Sequence, residues 1–287
     1  RAAWGHKLAR LPKKASWFEV NREQSPRVEL CVGFDPHPSV IEIWGSNDSV
    51  KGLDSCIEKF MSLALEHDVR RTKLQVAFFE RYGLAGLTAL ARLIGNLRQH
   101  GILVIGDTKR GDIKSSMSGY SEAWLKKGSD FEVDSMTVSP FHGVQSLEPI
   151  FDLANTFEKQ IFVLAVSSNK EAWASQQAIR KDGISVAAGV IREVVDRTAR
   201  QPNSGGNHGV VFGATAQPGD FGIDFSRFPE VPLLVPGFGF QGVDLSASGK
   251  LFPCSSSVTA VLSRSLLNKG PENFGDSLAR ARESLLA

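Results

Sequence analysis

The run V-I-G-D-T-K-R-G-D-I at residues 104–113 sets Asp107, Lys109, Arg110 and Asp112 directly behind the apolar pair Val104 and Ile105. An apolar run of this kind reads as a buried strand. Charges at its end must be either solvated or used. Residues two apart on a strand project to the same side, so Asp107 and Lys109 are expected side by side, with Asp112 in the loop beyond. Lys73 opens a second apolar run, K-L-Q-V-A-F-F, with Glu80 at its far end, and G-F-D-P-H-P puts Asp35 at the end of another. Any one of these could be a surface ion pair. Acid, base and acid at one strand end instead describe a cleft whose mixed charges shift each other's titration and can stabilise charge on a bound molecule.

Such groups need strands that end at one face. The chain of 287 residues is 42% hydrophobic and 22% charged, an ordinary globular balance with length enough for a large core. Short apolar runs recur at 28–34, 74–79, 101–107, 133–138, 160–166, 209–214, 231–237 and 256–263. Segments of helical periodicity lie between them at 55–67, 84–99, 118–128, 144–154 and 183–200, and an amphipathic stretch spans 274–287. Nearly continuous apolar strands suit a parallel sheet covered on both faces, and steady alternation implies right-handed β-α-β units. About eight such units predict an α/β fold: a single (β/α)8 TIM barrel over residues 28–287, with its active site at the C-terminal ends of the strands. Residues 1–27 precede it as a basic extension with no acid before Glu19, read as a surface helix rather than a transit peptide.

Composition narrows the function classes. A formal net charge of +2 gives no electrostatic footprint for nucleic acid. No run approaches the roughly 18 apolar residues of a membrane span. Cys31, Cys56 and Cys254 form no C-x-x-C pair, which fits reduced thiols in a cytoplasmic protein, with Cys31 a small core residue. The run G-F-G-F-Q-G at 237–242 matches the dinucleotide fingerprint G-x-G-x-x-G after a strand. It lacks the following half-domain and the acidic residue about 20 positions on. Its glycines are read instead as letting backbone N–H groups approach a phosphate. Asp35 and His37 could be half of a metal site, but no second histidine cluster supports one, so no metal is expected.

The run D-T-K-R-G-D-I resembles the D-x-K-x-x-D-I signature of the orotidine 5′-phosphate decarboxylases, in their longer bacterial branch. The similarity continues in order along the chain through L-C-V-G-F-D-P-H-P, K-L-Q-V-A-F-F-E-R-Y-G-L-A-G, V-T-V-S-P-F-H-G-V-Q-S-L-E-P-I, I-F-V-L-A-V-S-S-N-K, G-V-V-F-G-A-T, L-L-V-P-G-F-G-F-Q-G and the S-R at 263–264. The resemblance implies a cofactor-free decarboxylase that converts orotidine 5′-monophosphate to UMP in pyrimidine synthesis. It implies that Lys73, Asp107, Lys109 and Asp112 form an alternating network, with Asp112 supplied by the partner in a homodimer. Lys109 would protonate C6 of the pyrimidine, and Asp107 would lie beside the substrate carboxylate. Lys73 and Asp35 would hold the ribose hydroxyls. Ile113 and Ser116 would follow Asp112 toward the partner's site. Ser168 would meet the pyrimidine edge, Pro236 the ring, and Gln241 and Arg264 the phosphate.

The chain departs from the family pattern at Leu74, Ser139, Lys170 and Val243, none of them a charged group of the network. Two other readings remain open at this stage. One is a Mg²⁺-dependent sugar-phosphate decarboxylase or aldolase of the same barrel superfamily, in which the motif's acids bind metal. The other is a catalytically silent nucleotide-binding relative.

Overall fold

The computed structural model describes residues 27–200, 208–255 and 257–286. The expected N-terminal helix therefore falls outside the described residues, as does most of the polar loop after residue 200. Eight strands close into one parallel barrel in sequence order. They are β1 Arg27–Phe34, β2 Arg71–Gln75, β3 Leu103–Arg110, β4 Ser135–Val138, β5 Gln160–Val166, β6 Gly209–Phe212, β7 Leu233–Pro236 and β8 Ser257–Leu262. The first and last strands pair in register from Arg27 with Ser257 to Val32 with Leu262, which shuts the barrel without a free edge.

The helices follow from their sequences. Val50–Glu66 starts at Ser49, whose hydroxyl accepts the Gly52 N–H, and it buries one stripe through Leu53, Cys56, Ile57, Phe60 and Ala64. That 3–4 spacing places the stripe on a single face toward the sheet. Gly83–Gln99 and Val186–Ala199 do the same, the latter capped by the Ser185 hydroxyl on the Ala188 N–H. The connections after β6 and β7 hold only single turns, Pro218–Phe221, Phe225–Arg227, Leu245–Ala247 and Ser248–Leu251. Their Pro, Gly and Asp residues sustain no longer helix.

Two strand expectations need correction. The apolar run at 74–79 is strand only at Leu74 and Gln75: β2 ends there, and Ala77–Glu80 is a helical turn. An apolar run alone does not separate a buried strand from a buried helix. The turn swings Phe79 outward, where it is fully buried with its ring 6.2 Å from that of Phe34. Lys73 consequently sits within the strand, two residues before its C-terminal end, rather than at its start. In turn β3 runs on to Arg110, three residues past the apolar run, so Asp107 and Lys109 are both part of the sheet.

The core has the two layers of such a barrel. Inside, Cys31, Ile105, Phe162, Val211, Leu234 and Val261 form a closed apolar plug. Outside, a much larger apolar cluster joins strands to helices and includes Leu74, Val104, Met136 and Val138. Cys31 is fully buried, as expected, and burial pushes its thiol up to about 12. At the N-terminal end of the strands a buried ion cluster takes over, with Lys159 Nζ 2.9 Å from Glu132 Oε1 and Arg98 paired to the same carboxylate. No helix among the described residues is long and apolar enough to cross a membrane.

Candidate active site

Above the apolar plug the inward side chains turn polar. Ile105 belongs to the plug, and Asp107, two residues on, rises above it. Asp107 is the cross-strand neighbour of Gln75, as Ile105 is of Lys73. That register brings the inward side chains of β2 and β3 to one point. Lys73 Nζ lies 2.7 Å from Asp107 Oδ2, and Lys109 Nζ lies 2.7 Å from Asp107 Oδ1. Lys73 also approaches Asp35 Oδ1, at 3.6 Å. The Asp107 side chain is 8% exposed and that of Lys109 is 44% exposed, so the carboxylate is sealed and the ammonium faces the opening.

Two neutral residues complete the shell of Asp107. The Gln75 amide Nε2 donates to Oδ2 at 3.1 Å, and the Thr137 hydroxyl of β4 donates to Oδ1 at 2.8 Å. Lys109 Nζ also reaches Gln75 Oε1 at 3.4 Å. Sequence reasoning missed both residues. Gln75 stands two after Lys73 on one strand, and Thr137 is a hydroxyl in a buried strand, but neither carries a charge to draw notice.

The titration of the group follows from these contacts. Burial acts to raise the Asp107 carboxyl, yet the ammoniums of Lys73 and Lys109 outweigh it and hold the group far below the usual carboxylate range. Burial likewise acts to lower Lys73, but Asp107 and then Asp35 hold it above the ordinary lysine range. Both groups are therefore charged across the neutral range.

The backbone at Lys109 is unusual. Its φ is +47°, the left-handed region that a lysine adopts at a cost of about 1–2 kcal/mol. Pairing between β3 and β4 shifts register between Gly106 and Arg110. This irregularity turns the Lys109 side chain back over Asp107. Bulges next to active sites re-aim side chains in this way. Behind it Arg110 pairs with Glu80 and lies 5.7 Å over the Tyr120 ring. Glu80 thus braces the motif from outside rather than joining the network.

The other expected residues lie at or beyond the C-terminal ends of the strands, and one of them stands apart from its own chain's network. Asp35 is half-buried, and its Oδ1 is buried without a hydrogen-bond partner. Ser168 is half-buried after β5, its carbonyl accepting the Thr215 hydroxyl at 2.8 Å. Gly237 and Gly239 have φ of +110° and +73°, so the loop after β7 needs glycine there. A Cβ on Gly237 would fall 2.7 Å from Gln241 Oε1 and 3.4 Å from Ser168 Cβ, which puts Pro236, Gln241 and Ser168 at one edge of the mouth. Exposed Arg264 opens the short helix after β8, and its guanidinium lies 4.0 Å from the centroid of the Phe240 ring. Asp112 is the exception. Its Oδ1 accepts the Ile113 N–H at 2.7 Å, and among the described residues it pairs with neither lysine of its own chain. Ile113 is 59% exposed, and Ser116 lies in the first turn of the helix Lys114–Leu125.

The four positions that depart from the resembled pattern lie outside the contacts around Asp107. Leu74 points outward into the core, and Val243 bridges Phe238 within the glycine loop. Lys170 lies 5.8 Å over the Trp173 ring. Ser139 packs on Gly111, where a Cβ would fall 2.4 Å from the serine carbonyl oxygen. A separate cleft of about 340 Å³ is lined by Lys114, Glu148 and Arg197 among others, and by none of Lys73, Asp107 and Lys109. Those charges are paired with one another.

Comparison with known proteins points to one family. A family model described as "Orotidine 5'-phosphate decarboxylase / HUMPS family" matches residues 29–270. The orotidine 5'-phosphate decarboxylase of Salinispora tropica is 41% identical over 260 residues, covering 88% of this chain and 90% of that protein. The protein of the same name from Corynebacterium efficiens is 38% identical over 257 residues, covering 86% of this chain and 88% of its own length. Among solved structures, the putative orotidine 5'-phosphate decarboxylase of Streptomyces avermitilis superposes with a TM-score of 0.80 at 36% identity, over 89% of each chain.

Proposed function

The chain belongs to the orotidine 5′-phosphate decarboxylase / HUMPS family, and from that premise we propose how its barrel mouth converts orotidine 5′-monophosphate to UMP and CO2. The observation that carries the reading is one sealed carboxylate, Asp107, held between two ammoniums, with Lys109 alone of the three turned to the opening.

Breaking the bond between C6 and the carboxylate leaves its electron pair on C6 as CO2 departs. The pyrimidine ring offers that pair little delocalisation. A fixed ammonium can stabilise it as it forms and then supply the proton. Lys109 takes this role. Its Nζ–H donates to C6, and the amine regains a proton from water before the next turnover. Asp107 cannot compete for that proton, because both its oxygens are already engaged by ammoniums and neutral donors. It serves as a fixed negative charge beside the substrate carboxylate, and it keeps Lys109 in place. The rest of the substrate is held at the rim. The buried Asp35 Oδ1, without a hydrogen-bond partner and 3.6 Å from Lys73, suits a ribose hydroxyl. Ser168 and Pro236 face the pyrimidine, and Gln241 and Arg264 take the phosphate. Arginine suits that task through its planar fork of donors. Phosphate binding, remote from the bond that breaks, contributes energy to alignment.

Asp112 is assigned to the neighbouring site of a homodimer. Its absence from its own chain's network supports this, as do the exposed apolar side chains of Ile113 and of Phe141, 89% exposed, at the same end of the barrel. The three cysteines are free, which fits a cytoplasmic setting.

The Mg²⁺-dependent alternative asks the motif's acids for open oxygen donors. Asp107 has none to give, and Lys73 and Lys109 already supply its positive charge. The test is the fall in pyrimidine absorbance when the protein meets orotidine 5′-monophosphate in the presence of EDTA. Undiminished turnover is the expected result. Activity that disappears with EDTA and returns with Mg²⁺ would replace this reading with the metal-dependent one.

A further inference from the structure

We propose that Thr137 is a positioning residue for proton delivery: its hydroxyl ties the left-handed backbone of Lys109 to the Asp107 carboxylate. The proposal rests on Lys109 being the proton donor, and it assigns a task to a neutral side chain that does not itself face the substrate.

The hydroxyl is used in both directions. The Lys109 backbone N–H donates to Thr137 Oγ1 at 3.0 Å, and Thr137 Oγ1 donates to Asp107 Oδ1 at 2.8 Å. Its backbone is used as well, since the Thr137 carbonyl accepts the Thr108 hydroxyl at 2.7 Å. A single β4 residue therefore grips Asp107, Thr108 and Lys109 in succession, at the place where the β3–β4 register slips. Thr137 is 2% exposed, so solvent cannot readily take over these bonds.

The geometry explains what the tether would do. Lys109 at φ +47° holds a conformation that its own side chain disfavours. Such conformations persist where surrounding contacts over-determine them. Both ends of the lysine are fixed to the same carboxylate oxygen: Nζ directly at 2.7 Å, and the backbone N–H through the threonine hydroxyl. The arc closed in this way sets the height of the ammonium above Asp107. Without the hydroxyl, the Lys109 N–H and one acceptor position of Asp107 lose their partner, and the backbone is free to relax toward an ordinary strand. Residues two apart on a regular strand would still lie on one side, but the ammonium would no longer be held at a fixed point. Proton delivery depends on such placement, and ligand affinity at the rim does not.

The experiment compares Thr137→Val, which keeps the shape and loses the hydroxyl, with Thr137→Ser, which keeps the hydroxyl, alongside Lys109→Ala. Turnover, UMP affinity by titration and thermal melting are measured on each full-length protein. Thr137→Val is expected to lower kcat roughly 10- to 100-fold, the scale of one buried hydrogen bond to a charged group, with UMP affinity unchanged. Thr137→Ser is expected to retain most of kcat. Should Thr137→Val fail to fold, Thr137→Ala against Thr137→Ser makes the same comparison. Wild-type kcat in the valine variant would overturn the proposal. So would a serine variant as impaired as the valine one, or a loss of UMP affinity that tracks the loss of kcat, since either marks a packing role. If Lys109→Ala keeps wild-type turnover, the donor assignment fails and the tether with it. If Lys109→Ala is inactive and Thr137→Val is not impaired, the tether alone fails.

Discussion

Each oxygen of Asp107 holds one ammonium and one neutral donor, Lys109 with Thr137 on one side and Lys73 with Gln75 on the other. A carboxylate accepts about four hydrogen bonds, so this one is saturated. Its charge and its plane are both fixed before substrate arrives, which is what electrostatic preorganisation requires. Arg264 differs in kind. It is exposed, and it rests on the exposed ring of Phe240 rather than on an acid. Replacing Arg264 with alanine is expected to raise KM roughly 10- to 100-fold, the worth of a charge-assisted hydrogen bond to phosphate. Steady-state kinetics across substrate concentration check this, and an unchanged KM would remove Arg264 from the phosphate site. At this scale the charged residues were legible, because a lysine or aspartate inside an apolar run has to be explained. Gln75 and Thr137 were not. A neutral polar residue in a strand gives no such signal until the register that sets it against Asp107 is known.

Elements determine where those side chains point. The left-handed residue in β3 was invisible in the sequence, since lysine carries no preference for that conformation. The turn Ala77–Glu80 was hidden for another reason: V-A-F-F suits a strand and a buried helix equally. What the sequence did convey was the alternation of apolar runs with amphipathic segments, which depends on composition over many residues. Packing of elements also creates a pH response far from the site. His208, at the entry to β6, is buried with its ring edge-on to Phe151, and its Nε2 is 2.9 Å from Asn155 Oδ1. Burial lowers its pKa from 6.5 to about 4, with the charge of Arg197 adding to the effect. The folded state thus binds this proton less readily than the unfolded chain does. The stability that comes from keeping His208 neutral is complete above about 6.5 and declines as pH falls from there toward about 4. Denaturant unfolding of wild type and His208→Gln between those limits measures it. The gap between the two proteins should shift in favour of the variant as pH falls, and parallel curves would refute the assignment.

The whole molecule joins these parts as a closed barrel with an apolar plug below and a charged mouth above. Strand count and strand order were legible because eight buried runs leave few alternatives of this length. The sixth and seventh connections were less so, because Pro- and Gly-rich segments carry no helical period. The assignment of Asp112 concerns two copies of the molecule. Lys109→Ala and Asp112→Ala, each inactive alone, should recover activity when their subunits are mixed. If sites are shared, equal mixing restores about one quarter of wild-type sites, because half the dimers are mixed and each has one intact site. No recovery in a mixture shown to exchange subunits would place Asp112 in its own chain's site. Proton delivery in the whole molecule turns on Lys109, and the measurement that reaches it most directly is decarboxylation of orotidine 5′-monophosphate by Lys109→Ala, with UMP affinity titrated on the same preparation. Turnover should fall by about 10³-fold or more while UMP still binds, as expected when a proton donor that also stabilises developing charge is removed. Turnover within tenfold of wild type would contradict it, and would mean that the proton reaches C6 by another route.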